Sequence, residues 1–126
     1  IVGKVAPKVA ERLTLAGSAF ELSTGTNQPA LTLSNAAGAT VEQRTRSVAS
    51  VMEHLRETGY ITGWRDELYP VAENFDSSPL FLVERAAASL LGILEYGVHI
   101  NGLVKVHGET KMWMARRSKT KSKFPG

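Results

Sequence analysis

The stretch TVEQRTRSVASVMEHLRETG, residues 40–59, carries the clearest structural signal in the chain. Thr40 followed three residues later by Gln43 is a capping-box pattern, which begins a helix. Gly59 supplies a residue type that commonly ends one. Between them the apolar side chains recur on one helical face, with Thr45 among them, which predicts a helix that buries this face. The face consists of Val41, Val48, Met52 and Leu55.

The segment before this helix predicts a short helix and a β-hairpin. Residues 7–16 begin with proline, which suits the first turn of a helix, and their apolar residues are spaced for one face. Residues 19–23 and 30–34 alternate apolar and polar side chains and are separated by a stretch rich in turn residues, which is typical of a hairpin. Residues 35–39 are predicted to form a loop.

The segment after the helix mixes strand and helix signals, so the chain as a whole is predicted to be an α+β protein. The hairpin that closes it is the firmest strand prediction, because a His-Gly turn separates two apolar runs. The predicted order is a strand or strand-edge loop over 63–71, a strand over 79–83, a helix over 84–91, and two hairpin strands over 98–106 and 110–115.

Composition narrows the class of protein. The chain has 126 residues, 43% apolar and 21% charged, which is ordinary for a soluble domain with a core. It contains no cysteine, so disulfides and thiolate metal sites are excluded, in keeping with a reducing compartment. No apolar run approaches the roughly 20 residues of a membrane span. Because the first residue is Ile1 rather than Met, we expect the natural N-terminus to lie upstream.

Charge is distributed unevenly along the chain. Residues 1–104 contain eight Lys and Arg against eleven Asp and Glu, whereas residues 105–126 contain seven against one. A basic block on a mildly acidic body indicates an anionic partner for that block. The alternative is a solvated basic tail.

Several enzyme classes are excluded by their missing motifs. The sequence has no glycine-rich phosphate loop and no Gly-x-Ser-x-Gly turn around a nucleophile. Its histidines, His54, His99 and His107, lack zinc-ligand spacing, and His54 is interpreted as a surface or packing residue. The adjacent Asp66 and Glu67 would point to opposite faces of a strand. The chain therefore lacks a complete catalytic apparatus of its own.

Five segments in this order and spacing resemble the thiamine-pyrophosphokinase-related Nudix proteins. The resemblance covers residues 40–126 most clearly and implies an N-terminal domain over 1–94. Residues 95–126 would begin a Nudix domain and supply the first β-hairpin of its α/β/α sandwich. The segments are GWRDELY (63–69), PLF with ERAAA (79–81 and 84–88), GVHING (97–102), MWMARRS (112–118), and Lys121 with FPG (124–126).

The last of these segments also resembles isopentenyl diphosphate isomerases, which share the Nudix fold. In those enzymes a strand runs into Arg-Ser-x-x-Lys-x-x-Phe-Pro-Gly, and the Arg and Lys bind the substrate diphosphate. The resemblance therefore implies that Arg117 and Lys121 bind a diphosphate, with Arg116 alternating to the other side of the strand. A guanidinium fork and a compact ammonium suit that ligand. Solvated loop charge is the alternative role for both.

Four further residues are candidate substrate contacts. Trp64 lies between Gly63 and Arg65 and is open enough to stack on a heteroaromatic ring. On a strand, Arg65 shares a face with Glu67, so the two either pair or bind a polar ligand. His99 and Asn101 likewise share one strand face, and they either line a pocket or face water.

Three other residues favour structural roles. Trp113 alternates with two methionines, which favours packing over ligand contact. Glu84 and Arg85 stand where a strand meets a helix, which favours a cap or a salt bridge.

The family's Nudix box, Gly-x5-Glu-x7-Arg-Glu-x2-Glu-Glu-x-Gly, does not occur in these 126 residues. It supplies the glutamates that bind magnesium. The resemblance thus implies that the whole protein cleaves the diphosphate of a thiamine diphosphate analogue with magnesium, and that this chain contributes substrate contacts and no metal site.

Two other function classes stay open. A non-catalytic interaction or structural subunit would retain the fold and pair through the open edge of the terminal hairpin, as a homodimer or in a larger assembly. Nucleic-acid binding through the basic block is the weakest alternative, since only Trp113 and Phe124 interleave with its charges. For the hydrolase, the expected partners are a diphosphate-containing small molecule and the remainder of the Nudix domain, without a membrane. The expected location is cytoplasmic or organellar rather than secreted.

Overall fold

The structure, a computed structural model, describes residues 1–23 and 28–120. The chain divides into two units, Ile1–Tyr96 and Gly97–Gly126, called the first and second unit below. Within the described ranges, helices combine with two-stranded antiparallel sheets, which confirms the α+β class. The assignment of residues 1–94 and 95–126 to separate domains stays a prediction. No helix of the described part is long and apolar enough to cross a membrane.

Helix α2 (Val41–Glu57) is the central element of the first unit. The Gln43 N–H donates to Thr40 Oγ1 at 3.2 Å, and the Thr40 N–H donates to Gln43 Oε1 at 3.2 Å, so the predicted capping box is confirmed. The helix gives way to a turn at Thr58 and Gly59, where Gly59 adopts a positive φ of 73°.

The buried face of α2 differs from the predicted face in two residues, Val41 and Val51. Val41 is only half-buried, whereas Val51 joins the core; the remaining buried residues, Val48, Met52 and Leu55, were predicted. Thr45 accepts a hydrogen bond from the Leu82 N–H at 2.9 Å, which explains why a polar residue sits on this face.

Replacing Thr40 with alanine is expected to lower the free energy of unfolding by about 1 kcal/mol. The change leaves the Gln43 N–H without its side-chain partner at the start of α2. Thr40→Ser keeps the hydroxyl and serves as the control. Urea denaturation followed by circular dichroism measures both; equal destabilisation by the two variants would contradict a capping role.

Helix α1 (Pro7–Leu15) and a hairpin precede α2. Strand β1 (Phe20–Ser23) pairs antiparallel with β2 (Ala30–Leu33), placing Phe20 opposite Leu33. Both elements were predicted, but the predicted turn includes residues 24–27, which lie outside the described residues. The predicted loop at 35–39 contains a short 3-10 helix, Asn35–Ala37, which buries Ala37 against α2, where Ser47 Oγ donates to its carbonyl at 3.1 Å.

A second hairpin and a short helix complete the core of the first unit. Strand β3 (Leu68–Val71) pairs antiparallel with β4 (Phe81–Glu84), and α3 (Arg85–Leu91) follows directly. The apolar side chains of these elements meet α2, α1 and β1 in one cluster. Its largest fully buried members are Leu13, Met52, Leu55, Val48, Val71 and Val83.

Residues near the two ends of the first unit pair with each other. Gly3 and Ile93 form an antiparallel β-bridge, and the Lys4 N–H donates to the Gly92 carbonyl at 3.1 Å. Gly92 ends α3 in the left-handed conformation, with φ 55°. The backbones approach so closely that a Cβ on Gly92 would lie 2.0 Å from the Lys4 carbonyl oxygen, and one on Gly3 would lie 2.3 Å from the Leu91 carbonyl oxygen.

The second unit contains a hairpin of β5 (Leu103–Val106) and β6 (Glu109–Met112), joined by a turn with positive φ at both His107 and Gly108. The hairpin is confirmed, but both strands are shorter than predicted. One further hydrogen bond, from the Trp113 N–H to the Gly102 carbonyl at 2.8 Å, extends the pairing. Trp113 is 76% exposed, so its predicted packing role is wrong.

Candidate functional site

The loop between α2 and β3 carries two of the candidate site residues, Trp64 and Arg65. Its backbone is not a strand before Leu68, because Gly63 has φ 73° and Asp66 has φ 56°. A residue with left-handed backbone leaves the extended conformation, so the side chains no longer alternate between the two faces of a strand. The first half of the predicted 63–71 strand is therefore wrong, and the alternative prediction of a strand-edge loop describes this part.

Trp64 is half-buried and held from two sides. Its Nε1–H donates to Asp66 Oδ1 at 2.9 Å. The guanidinium carbon of Arg56, on α2, lies 4.9 Å from the ring centroid. A guanidinium at this distance is attracted by the negative face of the ring. The indole is thus oriented by a carboxylate and already contacts one cation.

Glu84 fastens this loop to the start of α3. The carboxylate belongs to a residue only 5% exposed, and its Oε1 accepts the N–H groups of Arg65 and Ala86, each at 3.0 Å. The bond to Ala86 caps α3, as the sequence predicted. The bond to Arg65 joins residues 19 positions apart, and no local pattern indicates it.

Pairing between Arg65 and Glu67, one of the two roles that the sequence left open for them, is not among the ion pairs of the described residues. Glu67 Oε2 instead contacts Nη1 of Arg85 at 2.5 Å, which fulfils the salt bridge predicted for Arg85. The hydrogen bond from Arg85 to this carboxylate, assisted by its negative charge, raises the pKa of the Arg85 guanidinium above its ordinary value. Both side chains are about half exposed, so the pair contributes little to stability. Arg65 itself is exposed and contacts Glu84 only through its backbone N–H.

A cavity of about 250 Å³ opens beside Trp64. Its wall is made by α2, the loop before β3, and the sheet of β3 and β4. Among the described residues no lysine or arginine lines it, and the ionisable groups that these residues contribute are all carboxylates. The lining residues are Ala49, Glu53, Trp64, Asp66, Leu68, Leu82 and Glu84.

A second cavity of about 430 Å³ lies between α1 and the end of α2. His54 lines it among residues of both charges, as a surface residue, in keeping with its interpretation. Within residues 1–23 and 28–120, no three histidine, aspartate or glutamate side chains are grouped as metal ligands. The lining is Lys8, Glu11, Arg12, Leu15, Ala16, His54, Leu55 and Thr58.

The remaining candidate site residues belong to the second unit. His99 and Asn101 are exposed and lie before β5 in a segment without regular secondary structure, so the strand face they were predicted to share is not formed. Arg116 and Arg117 follow β6 and are exposed, without an ion pair among the described residues. Lys121 lies outside the described residues. The ligand roles of all these residues stay predictions.

Comparison with known proteins places this architecture in a family. Residues 1–95 match the family described as "Domain of unknown function (DUF4743)". The chain belongs to the DUF4743 family. The match includes Trp64, Arg65 and the cavity beside them, so these features lie within the DUF4743 region.

The DUF4743 chain is similar to proteins named as Nudix hydrolases. It is 48% identical over 85 residues to Nudix hydrolase 20, chloroplastic, of Arabidopsis thaliana, and 45% identical over 85 residues to Nudix hydrolase 24, chloroplastic, of the same plant. Each match covers 68% of this chain and 23% of the plant protein. An uncharacterized protein of Saccharomyces cerevisiae is 49% identical over 67 residues, covering 52% of this chain and 19% of the yeast protein.

The share of each relative that the match covers limits the similarity to one part of that relative. The chain spans less than a quarter of the length of the plant relatives that it matches. The chain is thus similar to a part of proteins named as Nudix hydrolases, in agreement with the resemblance seen in its sequence.

Proposed function

We propose that this chain is the N-terminal, substrate-contacting part of a Nudix diphosphohydrolase. The observation that carries the proposal is the identity of almost one half to two Nudix hydrolases over 85 residues. The Nudix box that would supply the magnesium-binding glutamates does not occur in these 126 residues, so the role assigned to them is recognition rather than hydrolysis.

The proposed substrate is a small molecule with a diphosphate, of the thiamine diphosphate type implied by the sequence resemblance. Arg116 and Arg117 support this choice, because they are exposed cations that no described carboxylate neutralises. Lys121 is proposed to add a third charge, with His99 and Asn101 as further polar contacts from the same unit. Arg65 offers an exposed guanidinium in the first unit.

Magnesium belongs to the proposed whole protein rather than to this chain. The described residues offer no group of three metal-ligating side chains, and the Nudix box is absent from the 126 residues. The residues present therefore do not fit a catalytic magnesium site, and no hydrolytic step is assigned to them. The names of the plant relatives support a proposed organellar location, which imaging of the tagged full-length protein would test.

In the full-length protein, Arg117→Ala is expected to lower kcat/KM for a thiamine diphosphate analogue by about 10- to 100-fold, because it removes a charge-assisted hydrogen bond to the diphosphate. Arg117→Lys keeps the positive charge but loses the two-pronged hydrogen bonding of the guanidinium, so its kcat/KM should lie between those of the natural protein and Arg117→Ala. Phosphate release in the presence of magnesium provides the measurement.

Lys105→Ala is the matched control, since it removes an exposed cation from β5 of the same unit. If Lys105→Ala and Arg117→Ala lower kcat/KM equally, the effect is one of general charge and the assignment of Arg117 fails. A full-length sequence without a glutamate-rich Nudix helix would contradict the hydrolase proposal as a whole.

The second candidate function is a non-catalytic interaction subunit, and the terminal hairpin favours it. Leu103 and Met112 face each other across β5 and β6, yet they are 65% and 50% exposed. Apolar side chains on a two-stranded hairpin suit contact with another protein. Absence of turnover together with a stable complex in sedimentation velocity would support this function over hydrolysis, and an active monomer would dismiss it.

A further inference from the structure

We propose that the cavity beside Trp64 binds a compact organic cation of about the size of one aromatic ring. The proposal concerns the first unit alone. It does not depend on the diphosphate contacts assigned to Arg116 and Arg117.

The size of the cavity limits the ligand. Pockets that bury drug-sized ligands have volumes of about 300–1,000 Å³. At about 250 Å³ this cavity lies below that range. It can take a single ring or a quaternary ammonium group, whereas a nucleotide would extend far beyond it.

The lining determines the sign of the ligand's charge. The apolar part of the wall is formed by Ala49, Leu68 and Leu82 together with the indole of Trp64. Every ionisable group that residues 1–23 and 28–120 contribute to the lining is a carboxylate. An aromatic wall with carboxylates attracts organic cations, whereas an anion would meet repulsion on this surface.

The three carboxylates of the lining are not equivalent. Glu84 accepts two backbone N–H groups, and Asp66 accepts the indole N–H, so both have structural tasks. Glu53, on α2, forms no hydrogen bond or ion pair within the described part of the chain and is exposed. It is therefore the carboxylate available to pair with a ligand.

The indole already interacts with one cation. The Arg56 guanidinium lies 4.9 Å from the ring centroid, although Arg56 is not among the residues that line the cavity. The ring is thus placed where a positive charge is stabilised. Arg56 also adds a like charge near the ligand, so Arg56→Gln is expected to tighten binding about two- to fivefold.

The test is a nuclear magnetic resonance titration of the ¹⁵N-labelled 126-residue chain with 1-methylpyridinium, using toluene as the neutral probe of the same shape. The Trp64 Nε1–H resonance reports on the cavity, because this group donates to Asp66 at its edge. Trp113, in the second unit, provides the internal reference. We expect the cation to cause a saturable chemical-shift change at Trp64. Toluene should bind with an affinity at least fivefold weaker.

Substitutions at two lining residues, Glu53 and Trp64, test the contributions of the charge and of the ring separately. Glu53→Gln is expected to weaken the cation about fivefold, whereas Glu57→Gln, on the same helix but outside the lining, should leave the affinity unchanged. Trp64→Phe keeps an aromatic face and should retain weakened binding; Trp64→Leu should abolish it, as read from the backbone amides of the lining residues. Circular dichroism checks that each variant is folded.

Three outcomes would overturn the proposal. Toluene binding as tightly as 1-methylpyridinium would leave only an apolar pocket. Equal affinities of Glu53→Gln and Glu57→Gln for the cation would show that Glu53 is not its counter-charge. A Trp64 shift with inorganic pyrophosphate instead of the cation would show that the cavity prefers anions. Each leaves the hydrolase proposal intact, because Arg117 is tested by turnover of the full-length protein.

Discussion

Replacing Gly92 with alanine is expected to lower the free energy of unfolding by about 3 kcal/mol. The left-handed φ of 55° strains any residue with a Cβ. The added carbon would also lie 2.0 Å from the Lys4 carbonyl oxygen. Relief requires the two backbones to separate, which breaks the hydrogen bond from the Lys4 N–H to the Gly92 carbonyl. Urea denaturation gives the free energy directly.

Two other glycines divide this effect into its parts. Gly59 has φ 73° but open space where its Cβ would lie, so Gly59→Ala measures the left-handed conformation alone and should cost about 1 kcal/mol. Gly3 lacks a positive φ but lies 2.3 Å, by its virtual Cβ, from the Leu91 carbonyl oxygen, so Gly3→Ala measures the close approach alone. If Gly92→Ala lowers the free energy of unfolding no more than Gly59→Ala does, the close approach of Gly92 to Lys4 is contradicted.

Glu84→Ala is expected to lower the free energy of unfolding by about 2–4 kcal/mol. It leaves two N–H donors, on Arg65 and Ala86, without an acceptor where the Glu84 carboxylate is buried. It also releases the Trp64 loop from the start of α3. Hydrogen exchange should show the amides of Arg65 and Ala86 losing protection before the core of α2 does.

Glu84→Gln and Glu73→Ala are the controls. The glutamine keeps one side-chain oxygen that accepts both N–H groups, so it should cost less than half as much as alanine. Glu73 is exposed, and its replacement should change stability by less than about 0.5 kcal/mol. Unchanged protection of the Arg65 and Ala86 amides in Glu84→Ala would show that the carboxylate does not hold the loop.

Elements with a complete local code could be predicted from the sequence. Helix α2 has its capping box, one apolar face and a terminal glycine within 20 residues, and its bounds agree with the prediction. The Glu84 cap was predicted for the same reason, since donor and acceptor lie two residues apart. In both cases the hydrogen-bond donor and acceptor are close together in the sequence, so a local pattern indicates the bond.

The loop around Trp64 could not be predicted, because its geometry depends on distant partners. The alternation of residues 63–71 is typical of a strand, yet left-handed backbone at Gly63 and Asp66 breaks it. Asp is one of the residue types that tolerate this conformation, so the sequence did not exclude it. Glu67 pairs with Arg85, 18 positions away, and only the antiparallel pairing of β3 with β4 brings them together.

The first part of the predicted hairpin strand 98–106 shows the same error, because β5 begins only at Leu103. Val98 and Ile100 alternate with polar residues and indicate a strand, but both are 87% exposed and precede β5. Alternation predicts a strand only when a second strand and a core face are available, and the described residues offer this segment neither. Similarly, the cavity beside Trp64 draws its lining from three separate elements, so no contiguous motif indicates it.

The pairing of Gly3 with Ile93 has a consequence for protein engineering. Bridged residues of antiparallel strands have Cα atoms only about 4.5–5.5 Å apart, so the first and last segments of this unit are neighbours in space. A chain whose ends adjoin can be joined there through a short peptide and reopened at an exposed loop, such as residues 73–76. The same adjacency makes this unit suitable as a cassette for insertion into a surface loop of a host protein, since entry and exit need no long connection.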